Sequence, residues 1–221
     1  MQKRELKITE DGSHTLFVPE IDECYHSTKG AVQESLHIFI EAGLMQCSKP
    51  EVNILEIGFG TGLNAFLTLL KSHELNQTIN YIGIELYPIP VEKALQLNYP
   101  EFLNEDSSFF NKIHISPWNE AVQIMENFTL TKLNADFTKL DLEGQFDVIY
   151  FDAFSPEKQS EMWSDKMFKK LYLCAFENAV MTTYCSKGVV RRGMESVGFS
   201  VEKLPGPPGK REILRARKVS L

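Results

Sequence analysis

The stretch Ile54-Leu55-Glu56-Ile57-Gly58-Phe59-Gly60-Thr61-Gly62-Leu63-Asn64 places three glycines within five positions, directly behind a short apolar run. The run reads as a buried strand, and the glycines as a sharp turn where a ligand comes close to the backbone. Two phosphate-binding signatures fail at a required position. A dinucleotide fingerprint, G-x-G-x-x-G started at Gly58, needs glycine where the chain has Leu63. A P-loop needs Lys-Ser or Lys-Thr after its last glycine, and Gly62 is followed by Leu63-Asn64. What remains is an acid followed by alternating glycines, with Glu56 closing the strand. A carboxylate there repels pyrophosphate and attracts a ligand with a positive centre, such as the sulfonium and ammonium of S-adenosylmethionine. Glu56, Gly58, Phe59, Gly60, Thr61, Gly62 and Asn64 are the candidate cofactor contacts of this turn.

From Val52 onward strands alternate with helices. "VNILEI", "INYIGIE", "LTKLNAD", "FDVIYFD" and "AVMTTYC" read as strands. Helices are expected from Leu63 to Leu70, around "PVEKALQL" with Pro88 opening the turn, and over "WNEAVQIME", "DKMFKKLYLCAF" and "KGVVRRGMESVG". "FSVEKL" and "REILRARKV" close the chain as two strands around "PGPPGK". This alternation predicts a Rossmann-like α/β fold, a mainly parallel sheet with helices on both faces. The closing antiparallel hairpin is typical of the seven-stranded class I methyltransferase variant. Ahead of it, "ELKIT" and "HTLFV" flank Asp11-Gly12 as a β-hairpin, and a helix follows from Lys29 to about Glu41. Residues 1–50 are therefore expected to form a hairpin-and-helix appendage to a methyltransferase domain over 51–221.

Ligands of such sheets sit at the carboxyl ends of the strands. Glu85 ends the second strand, where an acid can take both ribose hydroxyls. Asp136 ends the third, placed to accept from an adenine amino group, and Asp152 ends the fourth, facing the reaction centre. One acid after a strand is commonly a helix cap. Four in register point to a ligand.

Hydrophobic residues make up 43% and charged residues 24% of 221, the profile of an ordinary globular protein. The longest uncharged stretch around the glycines, Ile57 to Leu70, is too short and glycine-rich to span a bilayer. The start lacks the apolar core of a secretion signal, so a cytoplasmic location without membrane contact is expected. Cys24, Cys47, Cys174 and Cys185 match no zinc spacing, and no metal is expected. The net charge is −7, yet Lys187 to Leu221 holds nine basic and three acidic residues, leaving −13 on the other 186. An acidic body with a basic end segment can hold a polyanion at one place only.

"ILEIGFGTGLNAF", "VIYFDAFSPEKQSEMW", "TTYCSKGVVRRGMESVGFSVEKLPGPPGKREIL" and "YHSTKGAVQESLHIF" together resemble the methyltransferase half of MnmC-type proteins, from about Tyr25 to Leu214. The family more often has D-G-F-A-P where this chain has Asp152-Ala153-Phe154-Ser155-Pro156, which keeps the acid and the aromatic. The resemblance implies methyl transfer from S-adenosylmethionine to the primary amine of 5-aminomethyl-(2-thio)uridine at the wobble position of tRNA. Asp152 would then be the catalytic acid beside the acceptor amine. Phe154, Trp163 and Tyr184 are candidates for stacking the extruded uridine, and Arg191, Arg192, Lys210 and Arg211 for the phosphates of the anticodon stem–loop. The larger family members carry a flavin-dependent oxidase half with no counterpart in these residues. The expectation is therefore a methyltransferase without FAD or an obligate protein partner, acting on an amine exposed by another route. The alternatives are an aminopropyltransferase of the spermidine-synthase type, a methyltransferase of another amine, and a nucleoside-binding module without catalysis.

Overall fold

Strand β4 (Glu51–Ile57) runs through the middle of an eight-stranded sheet, and its side chains alternate between two cores. Val52 and Ile54 enter one apolar cluster, Leu55 and Ile57 the other. Burial on both faces explains why the strand reads as a continuous apolar run. The computed structural model describes residues 3–219.

Ahead of β4, strands β1 (Glu5–Ile8), β2 (His14–Val18) and β3 (Glu23–Cys24) form a separate antiparallel sheet around the Asp11-Gly12 turn. The expected helix after Lys29 is a short α1 (Ala31–Ser35) that widens into a π-helical turn over Leu36–Glu41. Leu16, Val32, Ile38 and Phe39 share the core cluster of Val52, Ile54 and Phe66. The first fifty residues thus complete the cover on one face of the main sheet.

After β4 come α2 (Leu63–Leu75), β5 (Thr78–Glu85), α3 (Val91–Ala94), α4 (Tyr99–Leu103) and α5 (Ser107–Ile115). Next follow β6 (Ala121–Met125), β7 (Phe128–Asn134), β8 (Phe146–Phe151), α6 (Asp165–Cys174), β9 (Ala175–Thr183), α7 (Gly188–Ser196), β10 (Phe199–Pro205) and β11 (Glu212–Lys218). The sheet order is β10-β11-β9-β8-β4-β5-β7-β6. β9, β8, β4, β5 and β7 are parallel; β11 runs antiparallel between β9 and β10, β10 runs with the parallel set, and β6 is antiparallel at the other edge.

Three expectations need correction. "WNEAVQIME" is not a helix: Val122 and Ile124 turn inward at period two, and the segment pairs with β7 as an eighth strand, β6. The proline at the start of α3 is Pro90 at its N-cap, two residues beyond Pro88. Helix α6 ends at Cys174, because Ala175 and Phe176 already belong to β9.

The chain passes from β4 to β5 and β7 on one side, then returns to β8 on the other. The loops leaving β4 and β8 diverge there and open a crevice above the sheet's carboxyl edge.

Candidate active site

The crevice is a cavity of about 820 Å³. Gly58, Phe59, Gly60, Thr61 and Asn64 wall it, with Glu85 after β5, Asp136 after β7 and Asp152 after β8. Seven acidic side chains line it against three lysines, so its field favours a cationic ligand.

The glycine turn is built for close approach. Gly58 has φ +90°, and a Cβ on it would lie 2.4 Å from the carbonyl oxygen of Asp152. Glycine here lets the β4 and β8 loops touch and brings the acid to the turn. A Cβ on Gly60 would lie 2.8 Å from the Tyr25 ring. The Gly60 amide donates to Glu85 Oε2 at 3.0 Å, and Tyr87 N donates to Oε1 at 2.9 Å. Glu85 therefore fixes the turn while remaining in the cavity wall. Gly62 is the N-cap of α2 and is not in that wall.

Glu56 does not border the cavity, which corrects its expected contact with the cofactor. The strand runs on to Ile57, so period two turns Glu56 to the face of Val52 and Ile54, under α2. It is fully buried. Tyr81 Oη donates to Oε2 at 2.8 Å and Asn64 Nδ2 to Oε1 at 2.8 Å. Burial, reinforced by the charge of Asp152, holds its carboxyl well above the usual range despite these bonds. Cation attraction therefore falls to the acids that do line the cavity.

Asp152 stands on the same face, one pleat beyond Tyr150, which pairs with Glu56. The same Asn64 Nδ2 donates to Asp152 Oδ2 at 2.9 Å, so one amide group bridges two carboxyls. Asn64 is buried, and its Oδ1 has no partner. Burial and then the Glu34 charge push Asp152 up to about 8, against the Asn64 bond and the charge of Lys210. The side chain is only partly covered and faces the cavity, so water there relieves part of this shift. Asp136 is the opposite case. Thr138 Oγ1 and N donate to its Oδ1 at 2.6 and 3.0 Å and Lys139 Nζ lies 2.9 Å from Oδ2, holding the carboxyl down to about 2.

The loop after Asp152 is fastened at every step. Tyr184 Oη donates to Ala153 O at 2.9 Å and Trp163 Nε1 to Phe154 O at 2.8 Å. Ser155 N and Oγ donate to Glu23 at 3.1 and 3.0 Å. Phe154 and Tyr184 line the cavity. Trp163 is buried against Phe151 and is a core residue that does not border it. Lys210 enters the cavity, whereas Arg191, Arg192 and Arg211 lie outside. Arg191 faces Glu195 at 3.8 Å along α7, and Arg192 and Arg211 are exposed.

The largest group absent from the sequence-based site comes from the first fifty residues. Glu23 holds Ser155, Tyr25 packs edge-on to Phe154 at 5.1 Å, and His26 Nε2 lies 2.6 Å from Thr61 Oγ1. Glu34 reaches the cavity beside Lys210. For Tyr25, His26 and Glu34 the only sequence signal is that "YHSTKGAVQE" carries part of the family resemblance, and Glu23 lies just ahead of it with none. Burial draws His26 down to about 4, leaving it neutral. No group of three or more His, Cys, Asp or Glu among the described residues is arranged to hold a metal, and no described helix is long and apolar enough to cross a membrane.

The turn, the acids and the cavity suit S-adenosylmethionine: its positive charge meets a net negative wall, and glycines keep the turn clear of side chains. Residues 93–219 match the sequence model of a family described as S-adenosyl-L-methionine-dependent methyltransferase. The tRNA 5-methylaminomethyl-2-thiouridine biosynthesis bifunctional protein MnmC of Cupriavidus metallidurans is 31% identical over 228 residues, covering 95% of this chain and 33% of its own. The chain thus spans about a third of the length of the curated relatives it matches. The crystal structure of MNMC2 from Aquifex aeolicus superposes with a TM-score of 0.77 at 25% identity, over 100% of this chain and 72% of that one. Spermidine synthase from Thermotoga maritima superposes at 0.66 with 14% identity, over 99% and 70%, a likeness of fold alone. A match over more than half of its length, on a fold and cavity that fit the same cofactor, makes this chain a member of the S-adenosyl-L-methionine-dependent methyltransferase family.

Proposed function

We propose that the chain methylates the primary amine of 5-aminomethyl-(2-thio)uridine at the wobble position of tRNA. The observation that carries this reading is Asp152: a carboxyl raised to about 8, in one cavity with the glycine turn and Glu85. The MnmC relatives are described as proteins of tRNA 5-methylaminomethyl-2-thiouridine biosynthesis, the nucleoside that this transfer would yield.

S-adenosylmethionine, when bound, supplies a methyl group already activated by a positive sulfur. The protein's task is to position two reactants and to present the amine unprotonated. Glu85 would take the ribose hydroxyls and Asp136 the adenine amino group, with the glycine turn along the methionine end. Asp152 Oδ2 is engaged by Asn64, which leaves Oδ1 to take the proton that the acceptor nitrogen loses. A base that titrates near neutrality suits an alkylammonium acceptor. Phe154 lines the cavity and is only half-buried, so its ring would be the stacking partner of the extruded uracil. Arg192 and Arg211 would meet anticodon-loop phosphates.

Incubation with labelled S-adenosylmethionine and tRNA carrying 5-aminomethyluridine tests this. Nucleoside analysis is expected to yield labelled 5-methylaminomethyluridine. An unlabelled tRNA, with aminopropyl transfer from decarboxylated S-adenosylmethionine to putrescine in a parallel tube, would replace this reading by the aminopropyltransferase one.

A further inference from the structure

Beside Asp152 lies a pair of charges that the reaction above leaves unused. Glu34 projects from α1 and Lys210 from the loop between β10 and β11, so chain segments far apart in sequence meet in the cavity wall. Glu34 is 8% exposed; its Oε1 accepts from Ser27 N at 3.0 Å. Its Oε2 lies 3.1 Å from Lys210 Nζ, yet no hydrogen bond of good geometry reaches that oxygen. The same ammonium lies 4.8 Å from the centre of the Tyr184 ring, whose hydroxyl is tied to Ala153. A carboxylate, an aromatic face and the neighbouring Asp152 therefore surround one ammonium group. That is the surrounding an alkylammonium ligand requires.

The backbone that carries Lys210 is held in place. Gly209, at φ +87°, packs against Lys29, and His37 Nε2 lies 2.8 Å from Pro205 O. The Lys210 side chain retains 27% exposure, so it can leave the corner without moving the loop.

We infer that the corner formed by Glu34, Tyr184 and Asp152 is the binding site for the acceptor's ammonium, and that Lys210 occupies it as a stand-in until the acceptor arrives. This deepens the amine-methylating reading and rests on it. Glu34 is then a positioning residue that selects a cationic acceptor, and Lys210 is a competitor for the corner. The charged groups facing Glu34 are Lys210 and Asp152. Removing the Glu34 charge therefore also eases ionisation of Asp152.

Glu34→Gln and Lys210→Met are assayed on an anticodon stem–loop carrying 5-aminomethyluridine. For Glu34→Gln, KM for the stem–loop is expected to rise tenfold or more. Its kcat should stay within about threefold, S-adenosylmethionine affinity should be unchanged, and the rising limb of the pH profile should move to lower pH. For Lys210→Met, KM should fall severalfold. An unchanged KM in Glu34→Gln, lost cofactor affinity in that variant, or a raised KM in Lys210→Met would each overturn the inference. A binding titration with n-butylammonium keeps the two proposals separable. Lys210→Met is expected to bind it and Glu34→Gln/Lys210→Met to bind it at least tenfold more weakly. Equal binding by both overturns the corner assignment, whereas wild-type protein inactive on the stem–loop overturns only the choice of nucleoside acceptor.

Discussion

The two ends of the cavity hold the same chemical group in opposite states. Asp136 and Asp152 each follow a parallel strand, at the same edge of one sheet. Asp136 accepts two bonds from Thr138, pairs with Lys139 and stays down at about 2. Asp152 is pushed up to about 8 by burial and the Glu34 charge, with Asn64 as its hydrogen-bond donor. One end thus carries a permanent anion suited to accepting a fixed hydrogen bond. The other carries a group that can exchange a proton near neutral pH. The environment, and not the residue type, sets the two protonation states, and in the proposed function that difference would divide binding from chemistry.

The sharpest way to break this contrast is Asp152→Asn. Turnover is expected to fall about 10²–10⁴-fold with S-adenosylmethionine affinity nearly unchanged, measured by methyl transfer and calorimetry. The parent's kcat/KM for the acceptor should rise with pH along a limb that the variant lacks. Its midpoint should lie below 8 once the positive sulfur sits beside the carboxyl. The same substitution has a stability signature. Folded Asp152 holds its proton up to about 8, whereas the unfolded chain releases it near 3.8. This group's contribution is therefore whole below about pH 4 and is lost as pH rises towards 8. Asp152→Asn, which does not titrate, should exceed the parent by about 1–3 kcal/mol at pH 8, after allowance for cavity water, and lose that advantage near pH 4. Denaturant unfolding at the two pH values measures it. Equal stabilities at pH 8 would mean the carboxyl is not raised.

Asn64→Ala probes how the raised end is held. It removes one donor from both Glu56 and Asp152. Asp152 should move higher still, carrying the pH–rate limb upward and lowering turnover at pH 7 tenfold or more. Unfolding should become easier by about 1–3 kcal/mol, because the fully buried Glu56 and the partly covered Asp152 each lose a partner. A destabilised variant with an unmoved limb would show that Asn64 serves folding alone.

Asp136→Asn tests the permanent anion. Its effect should be smaller and different in kind: KM for S-adenosylmethionine up about 3–30-fold, kcat and the pH limb unmoved. A shifted limb would erase the distinction between the two ends.

The contrast also marks where sequence reasoning stops. The parallel strands were legible because buried strands are apolar on both faces, and the glycine turn because its φ values demand glycine. Strand-end position located Glu85, Asp136 and Asp152 in the cavity wall. It misplaced Glu56 by one residue of strand, and period two converts that error into burial under α2. β6 reads as a helix because its alternation spans only five residues and Asn119, Glu120 and Glu126 flank it with polar positions at helical spacing. Glu23, Tyr25, His26 and Glu34 escape assignment to the site for a different reason. Their chemistry arises from packing against residues 35 to 176 positions away, and local pattern carries no trace of such contacts. The same limit applies to Asp152, whose raised carboxyl depends on Glu34.

The smallest expected effect lies outside the cavity, in the basic closing segment. Arg192 and Arg211 are exposed, and a Cβ on Gly188 would lie 3.0 Å from the Arg192 guanidinium, which thus folds back to the first turn of α7. That turn begins at the sheet edge that bears the cavity, and Arg211 directly follows Lys210 in its wall. If the pair meets two phosphates, Arg192→Gln/Arg211→Gln should weaken tRNA binding less than tenfold near physiological salt. It should also reduce the slope of log affinity against log salt by about 1.4–1.8. Cofactor affinity should not change, since neither residue lines the cavity. A filter-binding series across salt concentrations separates this from a general loss of charge. An unchanged slope would make both residues ordinary solvated cations and move the footprint elsewhere. Lys158, itself in the cavity wall, would then be the nearer cation for the RNA backbone.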